Sequence, residues 1–227
     1  RGLGDVYKRQ GDGVATKTMN THIHVLEAYT ALYKVWKDDG LRERLAKVIN
    51  LITTKLYNSQ THHLILYCDS NWNNLDDIDS YGHDIETSWL LTEAAEALGD
   101  PEVIGKCREV ALELADASLK EGINPMGAMM YERHKDKIRK DASWWCQAET
   151  VVGCINAWQL TGEQSYLDSA VRTWNFIKSR MIDKEYGEWF RTVLEDGTPR
   201  YKEPKASMWN CPYHNSRMGF EIDTRLK

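Results

Sequence analysis

Four polar and aromatic clusters recur along this 227-residue chain at near-equal intervals. Their centres, His24, His83, Glu149 and His214, lie 59, 66 and 65 residues apart, each near the front of a helical pattern. Apolar residues at three- and four-residue steps, as in Val25, Leu26, Tyr29, Leu32, Tyr33 and Trp36, predict amphipathic helices. The expected long helices cover 19–37, 41–57, 84–98, 102–121, 145–161, 165–182 and 213–226, with Gly40, Gly99, Gly122 and Gly162 marking ends. Each repeat therefore reads helix, helix, short hairpin. A helical hairpin cannot bury its apolar face alone, so a series of them must stack into a solenoid or close into a ring of inner and outer helices. In a closed ring, the same end of each inner helix faces one cavity, and clusters far apart in sequence converge there. A ring of six hairpins needs more helices than the four inner and three outer ones read here, so the N-terminal part of the ring is expected to be missing.

The segments His63–Cys68, Gly127–Glu132 and Gly187–Val193 have strand-like content and are expected to form short hairpins in the loops. Residues 1–10 show no periodicity and no relation to the rest of the chain. They are read as a leader outside the fold, a scar of assembly or cloning, with 11–227 as part of a single domain.

Composition narrows the function classes. The net charge is −5, and Lys and Arg are scattered among Asp and Glu without a basic stripe, which argues against nucleic acid as a partner. No apolar run approaches the roughly 20 residues of a membrane span, and no signal-peptide apolar region opens the chain, so a cytoplasmic location is expected. The five cysteines, Cys68, Cys107, Cys146, Cys154 and Cys211, form no CxxC pair and read as free thiols. Nine Trp and eleven Tyr against three Phe favour aromatics with a polar handle, suited to helix packing and to stacking on sugars.

The strongest cluster is Ser80-Tyr-Gly-His-Asp-Ile-Glu-Thr-Ser-Trp89. Gly82 is expected to precede the helix, and His83 and Glu86 fall three apart on one face, a spacing that can hold an imidazole in a chosen tautomer. Helix capping accounts for the same residue types equally well. In Trp209-Asn-Cys-Pro-Tyr-His-Asn-Ser-Arg217, Pro212 suits a helix start, His214 comes just after it, and Trp209 offers a stacking surface. The plainer alternative is a final helix docking its aromatic end into the core. Asn20 and His24 share a helical face from which His22 points away, and Trp145 and Glu149 pair a stacking plane with a carboxylate. His62, His63 and His134 sit in polar surroundings and are expected at the surface. A metal site built on His24, His83, Glu86 and His214 is imaginable, but no close ligand motif such as HExxH is present, and neither metal nor cofactor is expected.

Four ordered motifs carry a resemblance. Met19-Asn-Thr-His-Ile-His-Val-Leu-Glu-Ala-Tyr-Thr30, Ser80-Tyr-Gly-His-Asp-Ile-Glu86, Trp144-Trp-Cys-Gln-Ala-Glu149 and Cys211-Pro-Tyr-His-Asn-Ser-Arg217 resemble those of cellobiose 2-epimerases, within the N-acylglucosamine 2-epimerase superfamily. The likeness runs from about Lys17 to Ile222. It implies an all-α (α/α)6 barrel of which this chain is the C-terminal portion, monomeric when full length. It also implies inversion at C2 of the reducing-end sugar of a β-1,4-linked disaccharide or oligosaccharide. His83 and His214 would be the acid/base pair and His24 would assist ring opening. Asn20, Glu86, Trp145, Glu149 and Trp209 would bind substrate and orient the histidines. Imidazole, with an ordinary pKa of about 6.5, takes and gives protons near neutrality without a metal or nucleotide.

Three rivals stand beside this reading: an aldose–ketose isomerase or mannose 2-epimerase of the same superfamily, a glycoside hydrolase using Glu86 and Glu149, and a non-catalytic helical scaffold. The resembling family also draws active-site residues from the preceding half of its barrel, so an inactive segment is a further alternative for this chain alone.

Overall fold

The computed structural model describes residues 16–227. The expected leader at 1–10 lies outside the described residues. Seven α-helices are present among the described residues: α1 (Met19–Val35), α2 (Asp39–Leu51), α3 (Tyr81–Leu98), α4 (Pro101–Gly122), α5 (Trp144–Thr161), α6 (Gln164–Phe176) and α7 (Tyr213–Arg225). The chain divides into two compact units, one of residues up to Asp79 with Leu90–Val110, the other of Ser80–Trp89 with Ala111–Lys227.

In the first unit, α1 begins where the Thr18 hydroxyl accepts the Thr21 amide, and α2 where the Asp38 carboxylate accepts the Leu41 amide at 2.8 Å. The buried stripe of α1 is Met19, Ile23, Leu26, Thr30 and Tyr33, a spacing of three and four that faces Leu41, Leu45, Val48 and Ile49 of α2 across a helical hairpin. A π-helical turn at Ile52–Leu56 continues α2 to the boundary expected from sequence. His63–Cys68 does not fold back on itself. Its two ends pair with different strands, His63–Leu64 with Tyr57–Asn58 and Tyr67–Cys68 with Lys17–Thr18. His63 is buried at 3% exposure with Asp79 4.0 Å away, contrary to its expected surface position, because its strand packs inward.

In the second unit, inner and outer helices differ as the repeat requires. Every residue of α5 from Trp144 to Ala157 is buried, the mark of a helix surrounded by protein. By contrast α6 buries only Tyr166, Ala170, Thr173 and Phe176. A left-handed Gly162 (φ 75°) ends α5, its amide bonded to the Trp158 carbonyl, so the chain reverses into α6. Gln147 on α5 grips the preceding loop. Its side chain accepts from the Met129 amide and donates to the Met129 carbonyl, each at 2.8 Å. The loop strands are short, Glu132–His134 with Lys137–Arg139 and Ala142–Ser143 with Thr192–Val193.

Helix α3 starts three residues earlier than the sequence suggested. The Asp84 amide donates to the Ser80 carbonyl, which puts Gly82 inside the first turn. Its glycine serves close packing. A Cβ there would lie 2.5 Å from Cys146 Sγ and 2.7 Å from the Trp145 ring. Gly153 plays the same part further along, where an added Cβ would lie 2.8 Å from the Ile85 carbonyl oxygen. Helices α3 and α5 meet along this glycine-lined seam. Because the Ile85 clash involves main chain, Gly153→Ala should destabilise the protein by about 1–3 kcal/mol. A urea melt checks this, and an unchanged midpoint would contradict the close approach.

Candidate functional site

Three inner helices of the second unit each contribute one charged or aromatic face. The first three turns of α3 present His83, Glu86 and Trp89, three residues apart; α5 presents Trp145 and Glu149, four apart; α7 presents His214 and Arg217, three apart. These spacings are a local property of each helix, and the packing of the helices brings the faces together.

At the centre is the Glu149 carboxylate, 1% exposed. One oxygen, Oε1, accepts from His214 Nδ1 at 2.7 Å and from Arg217 Nη2 at 2.8 Å. The other, Oε2, accepts from the Trp89 indole N–H at 2.9 Å. The same Arg217 nitrogen donates to Glu86, also 1% exposed. Aromatic faces hold the guanidinium, with its carbon 4.5 Å from the Tyr213 ring centre and 4.9 Å from that of Trp89. Burial raises the Glu149 pKa, but the His214 hydrogen bond and the Arg217 charge outweigh burial and leave it below the ordinary carboxylate value. A carboxylate only accepts hydrogen bonds, so His214 carries its hydrogen on Nδ1 and its neutral form has its lone pair on Nε2.

Trp145 lies in ring contact with both candidate histidines. Its indole centre is 4.5 Å from that of His83 and 5.6 Å from that of His214, with Tyr131 meeting it edge-on at 6.3 Å. The indole is only 8% exposed, so most of its faces are spent on these neighbours. Ser80 Oγ lies 2.7 Å from His83 Nδ1.

Of the residues singled out from sequence, His83, Glu86, Trp145, Glu149 and His214 are thus gathered into one linked cluster. Trp209 lies on the strand-poor segment before α7, its side chain 54% exposed. Asn20 and His24 belong to the first unit, where Asn20 is exposed and His24 Nδ1 lies 3.1 Å from Glu27 Oε2. Sequence reasoning overlooked Arg217, Trp89 and Ser80. Each sits in a quoted motif at helical spacing from a chosen residue, Arg217 three after His214 and Trp89 six after His83, and that periodicity was the available signal.

Glu86, Glu149 and His214 bring potential ligand atoms within 4.8 Å of one another. The Arg217 guanidinium hydrogen-bonds both carboxylates and so takes the position from which a cation would neutralise them.

The fold is all-α, built of helical hairpins around a buried His–Glu–Arg cluster, and comparison with known proteins places it in a family. The model of the N-acylglucosamine 2-epimerase family matches residues 5–215, and the chain belongs to that family. It is 42% identical over 222 residues to the cellobiose 2-epimerase of Bacteroides fragilis, covering 97% of this chain and 56% of the relative. Among solved structures, a sugar epimerase from a ruminal bacterium has a TM-score of 0.90 at 39% identity, over 93% of this chain and 54% of that one. The cellobiose 2-epimerase of Bacillus thermoamylovorans has a TM-score of 0.88 at 39% identity, with the same coverage. The chain spans about half the length of the curated relatives it matches. The fold class is the (α/α)-barrel class expected from the sequence.

Two measurements probe the cluster. Glu149→Gln should cost about 1–3 kcal/mol at neutral pH, because it removes a charged acceptor from His214 and Arg217 and leaves Arg217 paired with Glu86 alone of the two acids. Since folding lowers the Glu149 pKa, its stabilisation is complete above the ordinary carboxylate value of 4.5 and is lost as pH falls through the folded-state value. The variant should therefore lose less stability than the parent on acidification through that range. Equal losses measured by thermal melts across pH would contradict this account. Separately, Gly82→Ala should displace the Trp145 indole, and Trp fluorescence should report the change.

Proposed function

We propose that the full-length protein carrying this chain inverts C2 of the reducing-end sugar of β-1,4-linked disaccharides, cellobiose to glucosyl-mannose and mannobiose to mannosyl-glucose. We take residues 11–227 to be the C-terminal portion of a single (α/α)6-barrel catalytic domain. The observation that carries the reading is the pair of histidines in contact with one indole, His214 being tied through Nδ1 to Glu149. The cellobiose 2-epimerase names of the relatives support it.

After ring opening, one imidazole Nε2 takes the C2 proton. The C2–H electron pair forms a C1–C2 double bond, and the carbonyl π electrons move to O1, giving a cis-enediolate. The other histidine, as imidazolium, delivers a proton to the opposite face of C2 while the carbonyl re-forms. His83 and His214 exchange these roles with the direction of reaction. Imidazole suits both steps because its proton exchange lies near neutral pH. His24 assists ring opening, Asn20 hydrogen-bonds the sugar, Glu86 and Glu149 orient the basic groups, and Trp209, with what is left open of Trp145, offers aromatic surface to sugar rings. No cofactor enters these steps.

A hydrolase reading needs one carboxyl to protonate the leaving oxygen and another to act opposite it. Glu86 and Glu149 are both 1% exposed and bonded to the same guanidinium, an arrangement suited to positioning rather than to proton delivery. The proposal includes a monomeric enzyme in the cytoplasm. The five free cysteines agree with a reducing compartment, and no helix among the described residues is long and apolar enough to cross a membrane.

The test is incubation of the full-length protein with cellobiose or mannobiose in deuterated water. The expected product is the C2 epimer bearing solvent deuterium at C2, with His83→Ala and His214→Ala each lowering kcat by roughly 10²–10⁴-fold. A product that is only ketose would mark an isomerase, and released monosaccharide a hydrolase; either would overturn the proposal.

A further inference from the structure

We propose that Ser80 is a positioning residue for His83, accepting the hydrogen on Nδ1 and so presenting Nε2 to the substrate as the proton-exchanging atom. This rests on the reading of His83 as one of the two acid/base groups. Ser80 Oγ and His83 Nδ1 lie 2.7 Å apart, and Ser80 is 3% exposed. The main chain of Ser80 begins α3 by accepting the Asp84 amide, while its hydroxyl meets the ring one turn along. The imidazole is thereby restrained twice, on its face by Trp145 at 4.5 Å and on its Nδ1 edge by Ser80. Restraint on both face and edge sets the direction in which Nε2 points.

The arrangement mirrors His214, with one chemical difference. There the Nδ1 partner is the Glu149 carboxylate; here it is a neutral hydroxyl. A carboxylate can only accept, whereas a hydroxyl can accept or donate; with Oγ as acceptor, as proposed, the neutral His83 ring keeps its lone pair on Nε2, like that of His214. When Nε2 takes a proton from C2, Nδ1–H remains bonded to Oγ, so Ser80 serves the base form and the imidazolium form alike. The hydroxyl itself carries no charge.

The experiment compares Ser80→Ala and Ser80→Thr with the parent in the full-length protein. Ser80→Ala should lower kcat on the order of 10–100-fold with KM little changed, and Ser80→Thr, which keeps the hydroxyl, should recover most of the loss. In protein labelled with 15N at histidine, the parent should show His83 as the Nδ1–H tautomer and Ser80→Ala a mixture. A parent spectrum with the hydrogen on Nε2 overturns the proposal, as does a Ser80→Ala spectrum unchanged in tautomer. Equal loss of kcat in both variants, accompanied by a lower melting temperature, would mean that Ser80 only starts the helix, and also overturns it. If instead His83→Ala retains full activity, the reading of His83 itself has failed, and the inference falls with it.

Discussion

Two carboxylates, Glu86 and Glu149, are buried side by side between α3 and α5, and the second unit depends on how their charge is met. Removing such groups from water costs several kcal/mol each unless opposite charge and hydrogen bonds replace the solvent. Arg217 supplies both, with one nitrogen shared between the two acids. Helix α7 is thus tied to α3 and α5 by an ion network, and to α5 also by Ile222, which packs against the core cluster of Cys154 and Ile155. Trp89 completes the shell by donating its indole N–H to the second Glu149 oxygen and laying its ring against the guanidinium. A low-dielectric setting makes each of these bonds stronger and each missing one more costly, so the members of the network hold one another in place.

Such a network can assemble only if the helices approach closely, and glycine makes that possible. Gly82 admits the Trp145 ring and Cys146, and Gly153 admits Ile85. The close seam places the Trp145 indole against His83 on α3, while the same indole reaches His214 on α7. Packing therefore determines which ring faces are covered and which ring nitrogens are directed elsewhere. Cys146, at the same seam, is no candidate nucleophile. Burial, then the nearby Glu86 and Glu149 charges, push its thiol pKa well up, so it stays protonated and inert.

Much of this was legible from the chain alone, and the failures have definite causes. Helix periodicity carried the element boundaries, because amphipathic spacing is a local property; α5 to α7 were read to within a residue or so, apart from the π-turn continuation of α6 at Ile177–Met181. His83, Glu149 and His214 stood out through their regular spacing along the repeat. Arg217 did not, since an arginine near the start of a terminal helix looks like an ordinary surface charge until α3 and α5 are seen to bury acids against it. Trp89 was lost among nine tryptophans for a similar reason, its partner lying 60 residues away. His63 failed differently. Polar neighbours suggested a solvated turn, whereas pairing of His63–Leu64 with Tyr57–Asn58 turned the side chain inward. Gly82 was read as punctuation when its use is steric, a distinction that needs the partner helix.

Inversion at a carbon bearing an acidic proton demands a base on each face, and it also demands that negative charge developing on the sugar oxygen not be opposed. Two histidines each tied to an uncompensated carboxylate would meet the first demand and work against the second. In the proposed reaction the cluster would avoid that conflict in two ways. On the His214 side, the orienting carboxylate shares its oxygen with Arg217, so its charge is largely answered within the protein. On the His83 side, the proposed orienting atom is a serine hydroxyl, which itself carries no charge. The two imidazoles can then be held with comparable firmness while the field at the reacting carbon stays tolerant of an enediolate. In the proposed reaction, neither Nδ1 partner then sets an unanswered negative charge beside the reacting carbon, whichever histidine starts as the base.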